Sequence, residues 1–349
     1  MSPTRQILLT VALVLVVVTA AAVVLVVGLL RTSPPPERTG FGFTVSSSSD
    51  PYGSWAAFTA DVDLSAARGL EWVRLGIASW LVAPSPAGAD IGWDEHALAV
   101  YDREIDYIRS RGLRVFLVTS GAPDWTQGAS SAEYARVSAA YWSHLAQRFA
   151  PRVAVWQVFN EADSSDYRTF RPLDRPDRRY TRELAGLLRS ARTIVHDVAP
   201  GVVVTTNSTG FPVDDRREAI WTDYFAALAP SLDAVTLDLY PTDDPGQIAS
   251  LPDRVARAEQ RFRLPVYVGE VGLQTCRGCW SEETQGRAVG AAVAALRTAH
   301  PRAVLVYEMR DGGPDTTDGE STFGVVALDG RRKTGFDRIL AQMTPEPGP

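Results

Sequence analysis

Two glutamates in the sequence each follow directly after a short apolar run. Glu161 closes the run at 153–159, and Glu270 closes the run at 265–269. A pair of carboxyl groups can divide acid–base work, because a protonated one donates to a leaving group while an ionised one attacks carbon or activates water. A single glutamate after a strand also fits a helix N-terminus or a surface position. Two of them, each bounded by a buried run, are a more specific sign of paired chemistry.

The composition excludes other common chemistries. A Schiff-base mechanism needs a lysine near the reacting centre, but the one lysine, Lys333, lies close to the C-terminus. The four histidines fall in helix-like stretches or at helix ends, which argues against a metal cluster or a Ser-His-Asp triad. They are His96, His144, His196 and His300. We therefore expect no metal and no cofactor. Carboxyl pairs that act without a metal are typical of glycoside hydrolysis.

Strand-like and helix-like segments alternate along most of the chain. The strand candidates, which are short and rich in β-branched residues, are 41–45, 72–77, 114–119, 153–159, 202–206, 234–238, 265–269 and 303–308. The helix candidates are 95–111, 131–149, 178–198, 220–228, 253–262 and 282–299. Strands with little polar alternation are typical of parallel sheets buried on both faces.

Eight such units predict an α/β fold of the (β/α)₈ TIM-barrel type, since eight strands close this barrel. A doubly wound open sheet is the alternative. The glycine-rich nucleotide fingerprints that often mark open sheets do not follow any of the strand candidates. Active groups of a barrel lie at the C-terminal ends of its strands. Glu161, after the fourth strand, and Glu270, after the seventh, are therefore expected to meet at the barrel mouth.

Asn160-Glu161 after strand four, together with Glu270 after strand seven, resembles the retaining glycoside hydrolases of the large (β/α)₈ clan A. This clan includes the cellulase-like family 5 and the xylosidase-like family 39, and the resemblance covers residues 41–343. It implies that Glu161 is the general acid/base and Glu270 the nucleophile. It also implies that Asn160 binds the 2-hydroxyl of the sugar.

The resemblance extends to two further positions and departs at two others. Arg74 matches an arginine of strand two near the nucleophile, and Tyr240 matches a tyrosine of strand six that contacts it. Asp238 stands where the family often has a histidine, and strand eight does not end in the usual tryptophan. Glu308 near that end is expected to bind sugar hydroxyls, or else to pair with Arg310 or Arg74.

The expected environments of the two glutamates suit these roles. Arg74 beside Glu270 would hold that carboxyl ionised, while burial and a neighbouring negative charge would raise the pKa of Glu161. Tryptophans after the strands are interpreted either as stacking platforms for sugar rings or as residues that pack loops onto the barrel. These are Trp80, Trp125 and Trp280, of which Trp125 follows its strand most closely and is expected to bind substrate.

Cys276 and Cys279 lie in the loop after strand seven. A redox motif of the thioredoxin kind is one interpretation. The preferred one is a disulfide that staples the loop, because a domain outside the cytoplasm lies in an oxidising environment.

The N-terminal part of the sequence predicts a membrane anchor. Residues 7–30 carry no charge and, at about 1.5 Å per residue in a helix, are long enough for a hydrocarbon core of about 30 Å. A buried core helix and a signal peptide cleaved near 20–22 are the alternatives, but the apolar run continues past that point. The predicted segments are a tail at 1–6, a transmembrane signal anchor at 7–30, a proline-rich linker at 31–40, a catalytic domain at 41–343 and a tail at 344–349.

The chain has a net charge of −6, which argues against nucleic acid as a partner. The sequence thus predicts a membrane-anchored, extracytoplasmic retaining glycoside hydrolase that acts on β-linked glycans, with a form secreted after signal cleavage as the alternative. Its partners would be a carbohydrate substrate and, through residues 7–30, the lipid bilayer. Two other functions stay open: a catalytically inactive barrel that binds glycan, and a non-enzymatic scaffold protein of the envelope.

Overall fold

The computed structural model describes residues 38–88, 90–169, 171–209 and 215–344. The predicted tail at 1–6, the predicted membrane anchor at 7–30 and most of the linker lie outside these ranges. Within the described ranges, no helix combines the length and the apolar character that a bilayer crossing requires.

Nine parallel strands of the described chain form one sheet, and a short antiparallel hairpin lies beside it. The strands are β1 (Gly40–Thr44), β2 (Trp72–Gly76), the hairpin strands β3 (Ser85–Ala87) and β4 (Asp90–Gly92), β5 (Arg114–Val118), β6 (Val155–Gln157), β7 (Val203–Thr205), β8 (Asn207–Ser208), β9 (Val235–Asp238), β10 (Val266–Val271) and β11 (Ala303–Val306). The order in the sheet is β7-β6-β5-β2-β1-β11-β10-β9-β8.

The sheet closes into a barrel at β7 and β8. β7 pairs with β6 and β8 pairs with β9, and only Thr206 separates the two segments. They occupy one position in the ring, so the ring has eight positions, and each of its ladders is parallel. The predicted (β/α)₈ barrel is confirmed.

Helices follow the strands around the outside. They are α1 (Trp55–Ala67), α2 (Ser79–Val82), α3 (Glu95–Ser110), α4 (Ser131–Phe149), α5 (Arg178–Val198), α6 (Asp215–Leu228), α7 (Pro245–Phe262), α8 (Glu282–Arg297) and α9 (Phe336–Met343). Six of them begin with a side-chain oxygen that accepts a backbone N–H of the first turn, which satisfies donors that the helix itself cannot. These capping residues are Ser54, Asp94, Ser130, Asp177, Asp244 and Ser281.

The predicted helices at 131–149 and 178–198 have the observed bounds, because a clear apolar stripe and a capping residue mark them. The helix α1 was not predicted. Its apolar and polar residues do not separate into two faces, and one of its buried residues is Asp61. Asp61 is buried because Arg310 pairs with it at 2.6 Å, a contact that lies 249 residues away along the chain.

Alternation along the strands places the polar residues of the barrel interior. Trp72 and Val155 belong to the apolar cluster inside the barrel, and side chains two positions further along a strand share the same face. Arg74 therefore follows Trp72 on the inner face of β2, and Gln157 follows Val155 on the inner face of β6. Trp156, between Val155 and Gln157 in sequence, is fully buried in the cluster under the helices. The strands thus carry apolar side chains at the barrel centre and polar ones towards the C-terminal mouth.

The strand β10 departs from this alternation at Gly269. The register of β10 against β9 shifts between Val268 and Glu270, which is the mark of a β-bulge. A Cβ atom on Gly269 would lie 2.5 Å from Cγ2 of Thr236 and 2.9 Å from Oδ1 of Asp238, so only glycine fits there. Because of the bulge, Gly269 and Glu270 both face the interior.

Replacing Gly269 with alanine is expected to lower the free energy of unfolding by about 1–3 kcal/mol, since the new methyl group overpacks the barrel. Gly186 offers a matched control, because it lies in an exposed part of α5 with nothing near its Cβ position. Gly186→Ala should raise stability by about 0.5–1 kcal/mol. Urea unfolding of both variants measures the two effects. Equal midpoints for Gly269→Ala and the unmodified protein would contradict the bulge.

Candidate active site

A cavity of about 820 Å³ opens at the C-terminal mouth of the barrel. Loops that follow β1, β2, β6, β9, β10 and β11 contribute to its wall. The structure brings six of the residues predicted from the sequence together in this wall. They are Arg74, Asn160, Glu161, Tyr240, Glu270 and Glu308.

Glu270 is held from two sides at the floor of the cavity. Nη1 of Arg74 lies 2.7 Å from its Oε1, and the hydroxyl of Tyr240 donates to its Oε2. Both members of the ion pair are buried. Burial by itself would lower the pKa of the Arg74 guanidinium, but the charge of Glu270, with smaller charge effects from its neighbours, outweighs it and raises that pKa. The guanidinium therefore stays charged and fixes the orientation of the Glu270 carboxylate.

Asn160 presents its amide nitrogen to the cavity. Its Oδ1 accepts from three donors at 3.0 Å each: Nη2 of Arg74, Nε2 of Gln157 and Nδ2 of Asn207. Because all three partners are donors, the amide atom that they contact must be the oxygen, and the orientation of the amide is fixed. The nitrogen end of this exposed side chain is left as a hydrogen-bond donor for a ligand.

Glu161 has a left-handed backbone conformation, with φ of 48°. This conformation costs about 1–2 kcal/mol for a residue with a Cβ atom. Its backbone N–H donates to Oδ1 of Asn207 at 2.7 Å, which helps to hold it. Burial, and then the charge of Glu270, raise the pKa of Glu161 to about 8. Glu161 is therefore protonated at neutral pH and can act as an acid.

A third carboxyl, that of Asp238, lies beside the other two. Asp238 is the register partner of Glu270 across β9 and β10 and is fully buried. One of its oxygens accepts from Nδ2 of Asn207, and the other has no partner among the described residues. Burial, followed by the charges of Glu270 and Glu161, raises the pKa of Asp238 well above its usual value.

One oxygen from each of the three carboxyls lies within 4.8 Å of the others. A set of this kind can bind a metal ion or share protons. Arg74 already neutralises Glu270, and the amide of Asn207 donates to Asp238, so these neighbours favour protons over a cation. The cluster is best described as one carboxylate paired with Arg74, that of Glu270, beside two carboxyls whose pKa values are raised, first by burial and then by the charge of Glu270.

The sequence analysis missed three residues of this network as members of the site: Gln157, Asn207 and Asp238. Asp238 was noticed only as a departure from the resembling family. The available signal was positional, because Gln157 and Asp238 lie at the ends of the apolar strands β6 and β9, and Asn207 follows β7. A polar side chain that is fully buried at a strand end needs a hydrogen-bond partner. Several such residues at neighbouring strand ends therefore indicate a hydrogen-bond network.

Two of the three tryptophans considered as stacking platforms line the cavity, and the one preferred from the sequence, Trp125, does not. Trp80 and Trp280 line the cavity, and Trp80 is 48% exposed. Trp125 does not line the cavity, so the structure does not support the prediction that it binds substrate. A 3₁₀ turn at Asp124–Thr126 directs Trp125 towards the loop after α2, where its Nε1 donates to the carbonyl of Ala83 at 3.0 Å. Its ring then packs against the outer core.

Cys276 and Cys279 lie at disulfide-bonding distance, with their Cα atoms 5.0 Å apart. The backbone N–H of Arg277 between them donates to the carbonyl of Thr316 at 2.6 Å. This turn directly precedes Trp280, so it helps to position an aromatic ring of the cavity wall.

No protein-family model matches the sequence, and the search of curated proteins found no significant match. Solved structures do match. A beta-glycosidase has a TM-score of 0.68 and 14% identity, over 91% of this chain and 99% of the other. A family 39 glycoside hydrolase from Bacteroides cellulosilyticus has a TM-score of 0.63 and 16% identity, over 88% of this chain and 64% of the other. A family 5 protein from Streptomyces cattleya, solved with a Manβ1-4GlcNAc disaccharide, has a TM-score of 0.68 and 18% identity, over 88% and 83%.

These structures confirm the predicted resemblance at the level of the fold. The described domain shares its (β/α)₈ barrel with this beta-glycosidase and with proteins of glycoside hydrolase families 5 and 39, the two families that the sequence resembles.

The raised pKa of Glu161 predicts how stability depends on pH. A carboxyl with a folded pKa of about 8 and an ordinary value of 4.5 binds more protons in the folded state between these pH values. Its contribution to stability is full below about pH 4.5 and is lost as the pH rises towards 8. The Glu161→Gln variant has no carboxyl to titrate at this position and does not lose this stability. Its free energy of unfolding relative to that of the unmodified protein should therefore increase between about pH 4.5 and 8.

Urea unfolding at several pH values measures this difference. Glu259→Gln is the matched control, because Glu259 is exposed on α7 and does not line the cavity. Its stability difference should stay flat with pH. A flat profile for Glu161→Gln as well would show that Glu161 has an ordinary pKa.

Proposed function

We propose that this protein is a retaining glycoside hydrolase that cleaves β-glycosidic bonds of an oligo- or polysaccharide by double displacement. Glu161 is the general acid/base and Glu270 is the nucleophile. The observation that carries this proposal is the approach of the two carboxyls to within 4.8 Å in opposite environments. Retaining enzymes have carboxyls about 5–5.5 Å apart, whereas inverting enzymes leave about 6.5–9.5 Å for a water molecule.

In the first step, the carboxylate of Glu270 attacks the anomeric carbon while Glu161 donates its proton to the glycosidic oxygen. The bond from the anomeric carbon to that oxygen breaks, and the leaving sugar departs as an alcohol. In the second step, water gives a proton to Glu161 and attacks the same carbon. Glu270 leaves as a carboxylate, and the configuration of the sugar is retained.

The charge of Glu270 links the two steps. While it is ionised, it helps to keep Glu161 protonated, because its charge is the second cause, after burial, of the raised pKa. Once Glu270 has formed the ester with the sugar, that charge is gone and the pKa of Glu161 falls. Glu161 is then ready to accept a proton from water. The same carboxyl thus changes from acid to base without moving.

The other residues hold the reacting groups. Arg74 and Tyr240 orient Glu270 and stabilise its charge when it leaves in the second step. The free amide nitrogen of Asn160 is available to the 2-hydroxyl of the sugar, where a hydrogen bond can strengthen as charge develops. The names of the matching structures, which include a beta-glycosidase and an exo-beta-1,4-mannosidase, support a β-linked substrate.

Glu270→Gln is expected to reduce turnover at least about 10³-fold, because the amide does not form the covalent intermediate. Glu161→Gln should be most harmful for substrates with poor leaving groups, since those need the donated proton. Aryl glycosides with good leaving groups should still form the intermediate and then stall. Azide should relieve the stall and give a glycosyl azide of retained configuration.

Steady-state kinetics and product analysis on a panel of aryl β-glycosides measure these effects. Glu259→Gln, on the surface of α7, should behave like the unmodified protein. Near-native rates for both site variants would contradict the assignment. Binding of glycan by the unmodified protein without any turnover would instead indicate the inactive barrel, and neither binding nor turnover would indicate a scaffold.

We further propose that the barrel lies outside the cytoplasm, anchored in the membrane by residues 7–30. The uncharged run at 7–30 and the cysteine pair at bonding distance support this location.

Protease added to intact cells is expected to digest the barrel domain, because it would face the outside. A cytoplasmic protein of the same cells serves as the control for leakage. Protection of the domain until the cells are lysed would reverse the proposed topology.

A further inference from the structure

The cavity wall carries more acidic side chains than its cations can pair with. Its two basic residues are already paired: Arg74 with Glu270 at 2.7 Å, and Arg310 with Asp61 at 2.6 Å. The acid Asp311 pairs with Lys333 at 2.7 Å. The acidic residues of the wall that have no cation partner within the described part of the chain are Asp50, Glu161, Glu308 and Glu320.

Glu308 is the least accessible of these four. It is only 4% exposed, and its Oε1 has no hydrogen-bond partner among the described residues. The sequence left open a pairing with Arg310 or Arg74, but both guanidiniums lie on other carboxylates. A buried carboxyl without a partner is costly to keep, so a ligand that supplies donors or positive charge would stabilise it.

Glu308 lies close to the reacting centre. It directly follows Tyr307, whose ring packs against Tyr240 with the centroids 6.4 Å apart. Tyr240 in turn donates to Glu270. The ligand that meets Glu308 is therefore expected to be bound near the sugar that reacts, and not at a distant end of the cavity.

The backbone around Glu308 is fixed. Its carbonyl accepts from the N–H of Val325 at 3.0 Å, and the next residue, Met309, donates to the carbonyl of Thr44 at 2.9 Å. The loop of Asp50 on the same wall is also held, because the N–H of Asp50 donates to the carbonyl of Ser47 at 3.1 Å. Ser47 itself donates to the buried Glu104. The wall thus holds its acidic side chains on a fixed backbone, and burial raises the pKa of Asp50, Glu308 and Glu320. A ligand that brings positive charge would favour their ionised form.

We propose that an acidic wall, formed by Asp50, Glu308 and Glu320, binds the ammonium group of an amino sugar. Resting on the proposed function, this makes the substrate a β-glycan with free, non-acetylated hexosamine units. An ammonium group supplies both a positive charge and three donors, whereas a hydroxyl supplies one donor and no charge. A uronate or a sulfated sugar would add a negative charge to this wall and is repelled.

Matched aryl β-glycosides test this proposal. Each of the gluco, galacto and manno configurations is prepared as an aryl β-disaccharide whose reacting sugar keeps its 2-hydroxyl for Asn160. The second sugar carries a free 2-amino group, an N-acetyl group or a neutral 2-hydroxyl, or is the uronate. Within the configuration that is cleaved best, kcat/KM should be highest for the free amine and lowest for the uronate. In Glu308→Gln, the ratio of amine to neutral glycoside should fall about tenfold or more, because a charged hydrogen bond is lost.

Glu259→Gln removes an exposed charge from α7 and should leave this ratio unchanged. The glutamine at 308 keeps the size of the side chain, and a thermal melt of the variant confirms its fold. Turnover of the neutral glycosides with no preference for the amine would overturn the proposed ammonium site but not the proposed hydrolase function. The same holds for an amine preference that Glu308→Gln does not change.

No turnover of any glycoside would overturn the proposed function instead. Calorimetric titration then decides the ammonium site by binding alone, with oligomers of glucosamine compared against their N-acetylated forms. Tighter binding of the free amines, weakened in Glu308→Gln, would support the acidic wall. Equal binding of the two sets, or binding of neither, would reject it.

Discussion

The guanidinium of Arg74 sets the charge balance at the barrel mouth. It lies against Glu270, while the carboxyls of Glu161 and Asp238 crowd the same small space. Burial raises the pKa of the remaining two carboxyls, and the charge of Glu270 raises it further. The division of labour between a nucleophile held by Arg74 and a protonated acid, Glu161, follows from this burial and from the single cation. Arg74 can serve in this way because the barrel interior removes water from around it.

The fold was predictable because its signals are local and repeated. Eight runs of apolar, β-branched residues alternate with amphipathic helices, and each of those eight runs overlaps a strand of the barrel. The helices α4 and α5 were predicted at their observed bounds because an apolar stripe and a capping residue indicated the same helix in each case. The helix α1 escaped detection because its buried Asp61 makes sense only with Arg310, which lies at the opposite end of the domain. Contacts of such long range leave no pattern in a short window of sequence.

The site was predictable where strand ends carry reactive side chains. Glu161 and Glu270 were identified just beyond strand ends, whereas Arg74, within β2, and Tyr240 were identified by the resemblance to a known family. All four line one cavity. Trp125 also follows a strand, but a single 3₁₀ turn directs its ring into the core. The direction of a side chain in a loop depends on a few dihedral angles that residue type does not determine. The supporting amides, Gln157 and Asn207, were missed because neither residue type marks chemistry by itself.

Asn207 shows how narrowly the mouth of this barrel is constrained. Its one amide group serves Glu161, Asn160 and Asp238, with the oxygen accepting and the nitrogen donating. Neither aspartate nor leucine at this position could do both, and a longer glutamine would move all three contacts together. The barrel keeps its shape at 14–18% identity to known structures. We therefore expect substitutions to be tolerated on the outside of the barrel and along the acidic wall. The amides of Gln157, Asn160 and Asn207 are expected to change only together.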